Sequence, residues 1–346
     1  RRHVRGLRHA LPVMGDNLYV HFPFCRSKCS YCALHSRAGQ SLELRRDYVN
    51  DLVRVLGTGD LRLETWRTIY FGGGSPALCD LRPLFDALAP RRDASTEFTV
   101  ELHPLDVTDE LLKMLKAGGV NRISMGVQSL DDAVLADMGR GYTFAEAERA
   151  FALVKTYFDN AGIDLIVGYP GETAALTPRH ARLAKWGLKH CSVYSLILEE
   201  KTSLALQVAR QQVTLADDDT VMNRLKVVAA FLKDIGLERY EISNYAAPGY
   251  ECRHNLAVWR GEDYVGLGEG AHGRVGLRRT RNCFDMSFVS SPTSSPSSSV
   301  SCLPSSVSRF PSSVLQLHSK CDLGRGPGLN VSAKTGEGLD ELKDML

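Results

Sequence analysis

The densest chemistry in the chain lies in Phe22-Pro23-Phe24-Cys25-Arg26-Ser27-Lys28-Cys29-Ser30-Tyr31-Cys32, where three cysteines fall within eight residues. Thiolates this close on one loop can converge on a soft metal centre, because the chain can wrap around it. A zinc site completed by His21 or His35 uses the same donor types, although the usual two-plus-two ligand spacing is absent. Further along, Gly72-Gly73-Gly74 precedes Ser75-Pro76, and consecutive glycines let a ligand approach the backbone. Glu101 and Asp164 are acids among apolar neighbours, where an unpartnered charge is costly to bury. Gln128 offers both a donor and an acceptor, and Arg140 offers a guanidinium fork suited to a carboxylate.

Between Leu18 and Gly276 short β-rich runs alternate with helix-period runs, the pattern of a parallel sheet wrapped by crossover helices. The reading predicts six strands: Leu18–His21, Thr68–Phe71, Glu97–Leu102, Arg122–Gly126, Gly162–Val167 and Cys191–Leu198. Helices are expected near Leu44–Leu56, Leu81–Leu88, Asp109–Lys116, Phe144–Tyr157 and Ala174–Trp186, with Thr108 and Thr214 as capping residues. Ligands of such sheets bind beyond the carboxyl ends of the strands, and the cysteine and glycine runs each follow a predicted strand.

The spacing C-x3-C-x2-C at Cys25, Cys29 and Cys32, with Tyr31 before the third cysteine, resembles the radical S-adenosylmethionine (SAM) superfamily. That resemblance implies a partial parallel (β/α)6 barrel and a [4Fe-4S] cluster held by three cysteines, with the fourth iron open to SAM. By the same resemblance Tyr19, Tyr31, Gly73, Gly74, Ser75, Glu101, Gln128, Arg140 and Asp164 are SAM-binding. The runs Tyr240–Ala246, Glu251–Gly261 and Gly266–Gly273 are similar to the oxygen-independent coproporphyrinogen oxidase-like group. Its decarboxylating members carry another cysteine two positions after the third, where this chain has Leu34. The departure resembles the HemW-like branch of heme chaperones, which implies heme binding for delivery to respiratory enzymes rather than porphyrinogen oxidation. His254 and Trp259 match that branch's heme-associated segment, with Val258 in place of its tyrosine. Members of the group continue into a C-terminal helical domain, whereas the match here stops near Arg274, so the expectation is a barrel without its cap.

The ends differ from this middle. Residues 1–17 form a basic arm with Arg1, Arg2, Arg5 and Arg8 and no acid before Asp16, the composition of a transit-peptide remnant, hence an expected mitochondrial location. Residues 18–275 are the expected core. A Ser/Pro-rich stretch, 276–330, is expected to be disordered, with fifteen serines and four prolines between Ser287 and Ser319. A short helix with Leu339, Leu342 and Leu346 closes the chain, preceded by a segment resembling the base-specificity run of small GTPases but with no phosphate-binding loop upstream. With 42 basic against 40 acidic residues, wholesale electrostatic binding to nucleic acid is not expected, and no apolar stretch is long enough for a membrane span. Nine cysteines, an odd number over 346 residues, fit reduced thiols and a metal site better than a disulfide framework.

Overall fold

The computed structural model describes residues 15–57, 65–173 and 177–282, together with the backbone of the strands Val314–Gln316 and Asn330–Ser332. The start of the basic arm, the serine-dense stretch apart from Val314–Gln316, and the terminal helix lie outside the described residues.

The first half alternates regularly: β1 (Asn17–Phe22), α1 (Leu42–Gly57), β2 (Thr68–Gly73), α2 (Arg82–Leu88), β3 (Glu97–Leu102), α3 (Asp109–Ala117) and β4 (Arg122–Gln128). After α4 (Asp132–Asp137) and α5 (Phe144–Tyr157) come β5 (Ala161–Val167), α6 (Pro178–Leu183) and β6 (His190–Ser195). The chain then runs through α7 (Ser203–Ala209), α8 (Asp218–Asp234), β7 (Glu238–Arg239), β8 (Asn244–Ala246) and α9 (Arg253–Trp259). It ends the sheet with β9 (Tyr264–Leu267), β10 (His272–Val275) and β11 (Arg278–Arg281). Strands β1 to β6 lie side by side in sequence order and are mutually parallel, as the six-strand reading predicts. That reading missed β9, which pairs in parallel with the free side of β1, and the antiparallel β7, β8, β10 and β11 at the two edges.

The side chains of the parallel strands sort by parity, since successive residues point to opposite faces. Leu18, Val20, Ile69, Phe71, Phe98, Val100, Ile123 and Met125 are fully buried and belong to the apolar core. This face receives the helices: Phe85 of α2 stacks at 6.3 Å from Phe71, and Phe22 meets Tyr48 of α1 at 6.5 Å. The alternate positions on the other face are polar: Tyr19 and His21, Tyr70, Glu97 and Glu101, Arg122 and Ser124, Asp164. A sheet buried on both faces but polar on one therefore separates a structural side from a side that handles ligands.

Caps fix where helices begin. Thr108 Oγ1 accepts from Leu111 N at 3.1 Å, and Thr143 with Glu146 forms a reciprocal box at the start of α5. Thr214 is not a cap: α8 starts at Asp218, and Asp217 Oδ1 accepts from Thr220 N at 2.7 Å. The short anionic side chain suits the helix dipole better, and Asp218 and Asp219 reinforce it in the first turn. The expected helix Ala174–Trp186 is shorter, because Pro178 has no amide hydrogen to give and so opens α6, with a 3-10 turn carrying it to Trp186. The main sheet continues past residue 275, where β10 and β11 form a four-pair hairpin, and the backbone of Val314–Gln316 pairs antiparallel with that of Asn330–Ser332.

Phe98 sits edge-on to both Phe71 (4.9 Å) and Phe85 (5.8 Å) at the centre of the sheet-helix core. Phe98→Ala is expected to lower unfolding free energy by about 3–5 kcal/mol, read from the denaturant midpoint at unchanged slope.

Candidate functional site

β1 delivers the chain into the cysteine loop. Phe24–Cys25 pairs in parallel with Arg37–Ala38, and Arg37 N donates to Pro23 O at 2.8 Å, so the loop is closed at its base by backbone hydrogen bonds. Lys28 Nζ donates to Leu34 O (2.7 Å) and Ser36 Oγ (2.8 Å), and Cys32 N donates to Cys29 O, which folds the loop upon itself. Its tip docks through Ser30, whose N donates to Met138 O, whose hydroxyl meets Tyr169 OH at 2.8 Å and whose carbonyl accepts from Leu204 N. Cys25, Cys29 and Cys32 are free thiols, each half-buried. Burial pushes the Cys25 and Cys32 thiols up from their ordinary range, so a metal must displace the protons to bind there. Among the described residues no three His, Cys, Asp or Glu side chains are gathered tightly enough to hold a single ion. A cluster takes one thiolate per iron and asks for no such convergence.

The glycine run at the end of β2 packs directly on that loop. Gly74 N donates to Phe22 O and Ser75 N to Phe24 O, both at 2.7 Å. A methyl group on Gly74 would stand 2.3 Å from Phe24 O and 2.9 Å from Cys25 Sγ, and Gly73 (φ +111°) would place one 2.7 Å from the His21 ring. The approach is therefore open only to glycine. Ser75 donates its hydroxyl to Asp106, whose other oxygen accepts from Arg26, so the two loops are also joined through a buried carboxylate. Glu101, at the end of β3, accepts from Tyr70 OH (2.8 Å) and Gly73 N (3.2 Å).

Tyr19 and His21 share the polar face of β1. His21 Nε2 donates to the His35 carbonyl at 2.7 Å, and its buried ring is held below the usual histidine range by desolvation. The neutral ring then accepts at Nδ1 from Tyr19 OH at 3.0 Å. Arg140 is half-buried and spreads its guanidinium over three acceptors: Gly126 O (2.8 Å), Tyr142 OH (3.1 Å) and Cys29 Sγ (3.3 Å). Tyr31 lies edge-on to Tyr169 at 6.4 Å, with its phenol pushed up by burial. Asp164 is buried on β5 and accepts from Ser124 Oγ at 3.1 Å. Gln128 takes a left-handed conformation (φ +69°) where the register of β4 and β5 slips. Strain of this kind in a non-glycine residue is a signature of functional positions. It lines a cavity of about 340 Å³ with Ile166, Glu172, Arg179 and His180.

Of the residues singled out from sequence, Cys25, Cys29, Cys32, Tyr31, Gly73, Gly74, Ser75, Glu101 and Arg140 gather around the cysteine loop, with Tyr19, Gln128 and Asp164 on the same polar face or at its rim. His254 and Trp259 stand apart. His254 N and Arg253 N donate to the two oxygens of Glu97, and the His254 Nδ1 bonds Thr68 Oγ1 at 2.8 Å. Thr68 and Glu97 open β2 and β3, so α9 closes the amino ends of strands whose carboxyl ends carry the site. Sequence reading missed Asp106, Glu97, Arg122 and Glu269. The alternation Glu97-Phe-Thr99-Val-Glu101 was the available signal that Glu97 shares a face with Glu101.

Gly74→Ala is expected to force the two loops apart and cut metal loading on the order of tenfold, measured as iron per chain after anaerobic reconstitution, with the fold retained. The pH response should follow His254. Burial and the neighbouring Arg122 and Arg67 push its imidazole down to about 3 from 6.5. The unfolded chain therefore takes up a proton that the folded chain refuses between these values, so stability falls as pH drops below about 6.5. His254→Asn should flatten that decline in denaturant midpoints compared at about pH 7 and 5.

The radical SAM superfamily profile matches residues 19–184. The heme chaperone HemW of Lactococcus lactis is 34% identical over 276 residues, 77% of this chain and 72% of that protein. HemW of Bacillus subtilis is 35% identical over 280 residues, 76% of this chain and 72% of its own. The mouse mitochondrial radical S-adenosyl methionine domain-containing protein 1 is 34% identical and covers 74% of this chain and 60% of its own. In three dimensions the chain is similar to the radical SAM enzyme coproporphyrinogen III oxidase (HemN) of Escherichia coli, with a TM-score of 0.66 at 22% identity over 77% of this chain and 66% of that one.

Proposed function

The chain belongs to the HemW family of radical SAM proteins, and on that premise we propose that it carries a [4Fe-4S] cluster on Cys25, Cys29 and Cys32, binds SAM beside it, and binds heme for delivery to respiratory enzymes. The observation that carries the reading is the backbone seating of the glycine loop against Cys25, which sets the cysteine trio at the carboxyl ends of the parallel strands. When bound, such a cluster supplies reducing power and an open iron for the amino and carboxylate groups of SAM.

The protein's own part is positioning. Arg140 puts a half-buried positive charge beside Cys29 and suits a carboxylate. Glu101 suits an amino group and holds the glycine loop in place for it, while Gly73, Gly74 and Ser75 present backbone and hydroxyl at the same rim. Gln128 at the end of β4 and Asp164 in the middle of β5 offer hydrogen-bonding groups on the neighbouring strands, and Tyr19 and Tyr31 wall the site. Leu34, where decarboxylating relatives have cysteine, favours heme handling over porphyrinogen oxidation. His254 and Trp259 remain the heme candidates on α9. Because His254 is buried against Thr68 and Tyr70, its ring can reach iron only if α9 leaves the sheet. A mitochondrial location accords with the arginine-rich first residues and with the mouse and cattle relatives, which are named as mitochondrial proteins. No helix among the described residues is long and apolar enough to cross a membrane.

Anaerobic reconstitution is expected to give about four irons and four sulfides per chain, lost on alanine substitution of any of the three cysteines. The loaded protein should bind heme in an absorbance titration and release no carbon dioxide from coproporphyrinogen III. One zinc without sulfide would overturn the cluster. Decarboxylation would overturn the chaperone reading in favour of an oxidase.

A further inference from the structure

Glu269 lies two residues beyond β9, 232 positions after Arg37, yet it contacts the cysteine loop. β9 runs parallel to β1, with Val20 opposite Leu267, so the turn after β9 leaves the sheet at the same edge and in the same direction as the chain leading to Cys25. Glu269 is buried. Its Oε1 accepts from His35 Nε2 at 2.8 Å and from the Arg37 guanidinium. These two residues end the loop that Cys25 begins, and Arg37 is also the residue that pairs with Phe24 across the loop base. The Glu269 amide donates to Tyr48 OH at 3.0 Å, and that hydroxyl donates to His21 O at 2.6 Å, reaching the incoming strand. The flanking glycines admit this contact: a methyl on Gly270 would lie 2.8 Å from His35 Cβ, and one on Gly268 would lie 2.3 Å from Tyr48 OH.

One buried residue thus meets both ends of the loop, its carboxylate holding His35 and Arg37 and its amide reaching the incoming strand through Tyr48, and nothing else described joins His35 and Arg37 to a common anion. We infer that Glu269 is a positioning residue that sets the spacing of the cysteine trio, acting through His35 and Arg37 without touching the metal. This rests on the reading that Cys25, Cys29 and Cys32 hold the cluster. Loss of the carboxylate leaves two cationic or polar side chains at the loop end without their shared acceptor, so the loop end loosens while the sheet beneath it stays paired.

The test compares wild type, Glu269→Ala, Glu269→Asp and Arg37→Met, all reconstituted anaerobically as the full chain. Each is measured for cluster release to an iron chelator and for the electron paramagnetic resonance spectrum of the reduced cluster. Glu269→Ala should release iron faster on the order of tenfold and alter the spectrum, with Glu269→Asp partly restoring both. Combining Glu269→Ala with Arg37→Met should add little to either alone, as expected for partners in one contact. Leu232→Ala in α8 serves as a destabilised control that should leave the spectrum unchanged even where it lowers the melting temperature. A folded Glu269→Ala protein with wild-type release rate and spectrum would overturn the inference. If Glu269→Ala fails to fold, Arg37→Met carries the same comparison, and an unaltered rate and spectrum there would overturn it equally. Failure of the cluster reading shows separately, as wild-type protein that takes up no iron or as cysteine variants that load it normally.

Discussion

Two loops leaving neighbouring parallel strands meet backbone to backbone, and the rest of the site is arranged around that contact. The amides of Gly74 and Ser75 donate to the carbonyls of Phe22 and Phe24, which requires a separation no side chain on Gly74 would permit. Parallel pairing of β1 with β2 in register from Asn17–Thr68 to Phe22–Gly73 brings both loops to the same height. Once they are in contact, Asp106 and Glu101 close the seam from either side, each spending its oxygens on one group from the glycine segment and one from elsewhere. Glu101, which looked costly in the sequence, is thus satisfied in part by the loop it holds.

The opposite end of the sheet is closed by an equally polar device. Glu97 meets the first amides of α9, where a carboxylate complements unsatisfied N–H groups, and the buried Arg122 adds a positive charge nearby. His254 is kept neutral in this setting. The polar face is therefore continuous from the α9 plug to the cysteine loop, while the other face holds an ordinary apolar core against the helices. Separation of these two jobs onto opposite faces lets the ligand side carry charges without weakening the packing that holds the strands.

Much of the site could be read from local signals. The cysteine spacing, the glycine run and Glu101 each stand where a strand stops, and the six parallel strands were found by alternation and length, with boundaries off by a residue or two and, for the last strand, by three. Thr214 illustrates the limit: a capping residue and an early acid fit two starting points, and the choice went to Asp217 because its carboxylate sits at the dipole of a longer run. His254 illustrates a different limit, since a histidine that could ligate iron and one that could fill a polar floor have the same sequence, and burial beside Thr68 and Tyr70 is visible only in three dimensions.

The order of residues determined the donor set, the periodicity and hence the alternation of strand and helix, because these depend on neighbours a few positions apart. Folding decided which distant groups share a space. β9 had too few residues and too mixed a pattern to announce itself, yet its pairing with β1 brings Glu269 to the cysteine loop across more than two hundred positions. Contacts of that range follow from strand order and register, which are set by the packing of the whole sheet rather than by any segment within it.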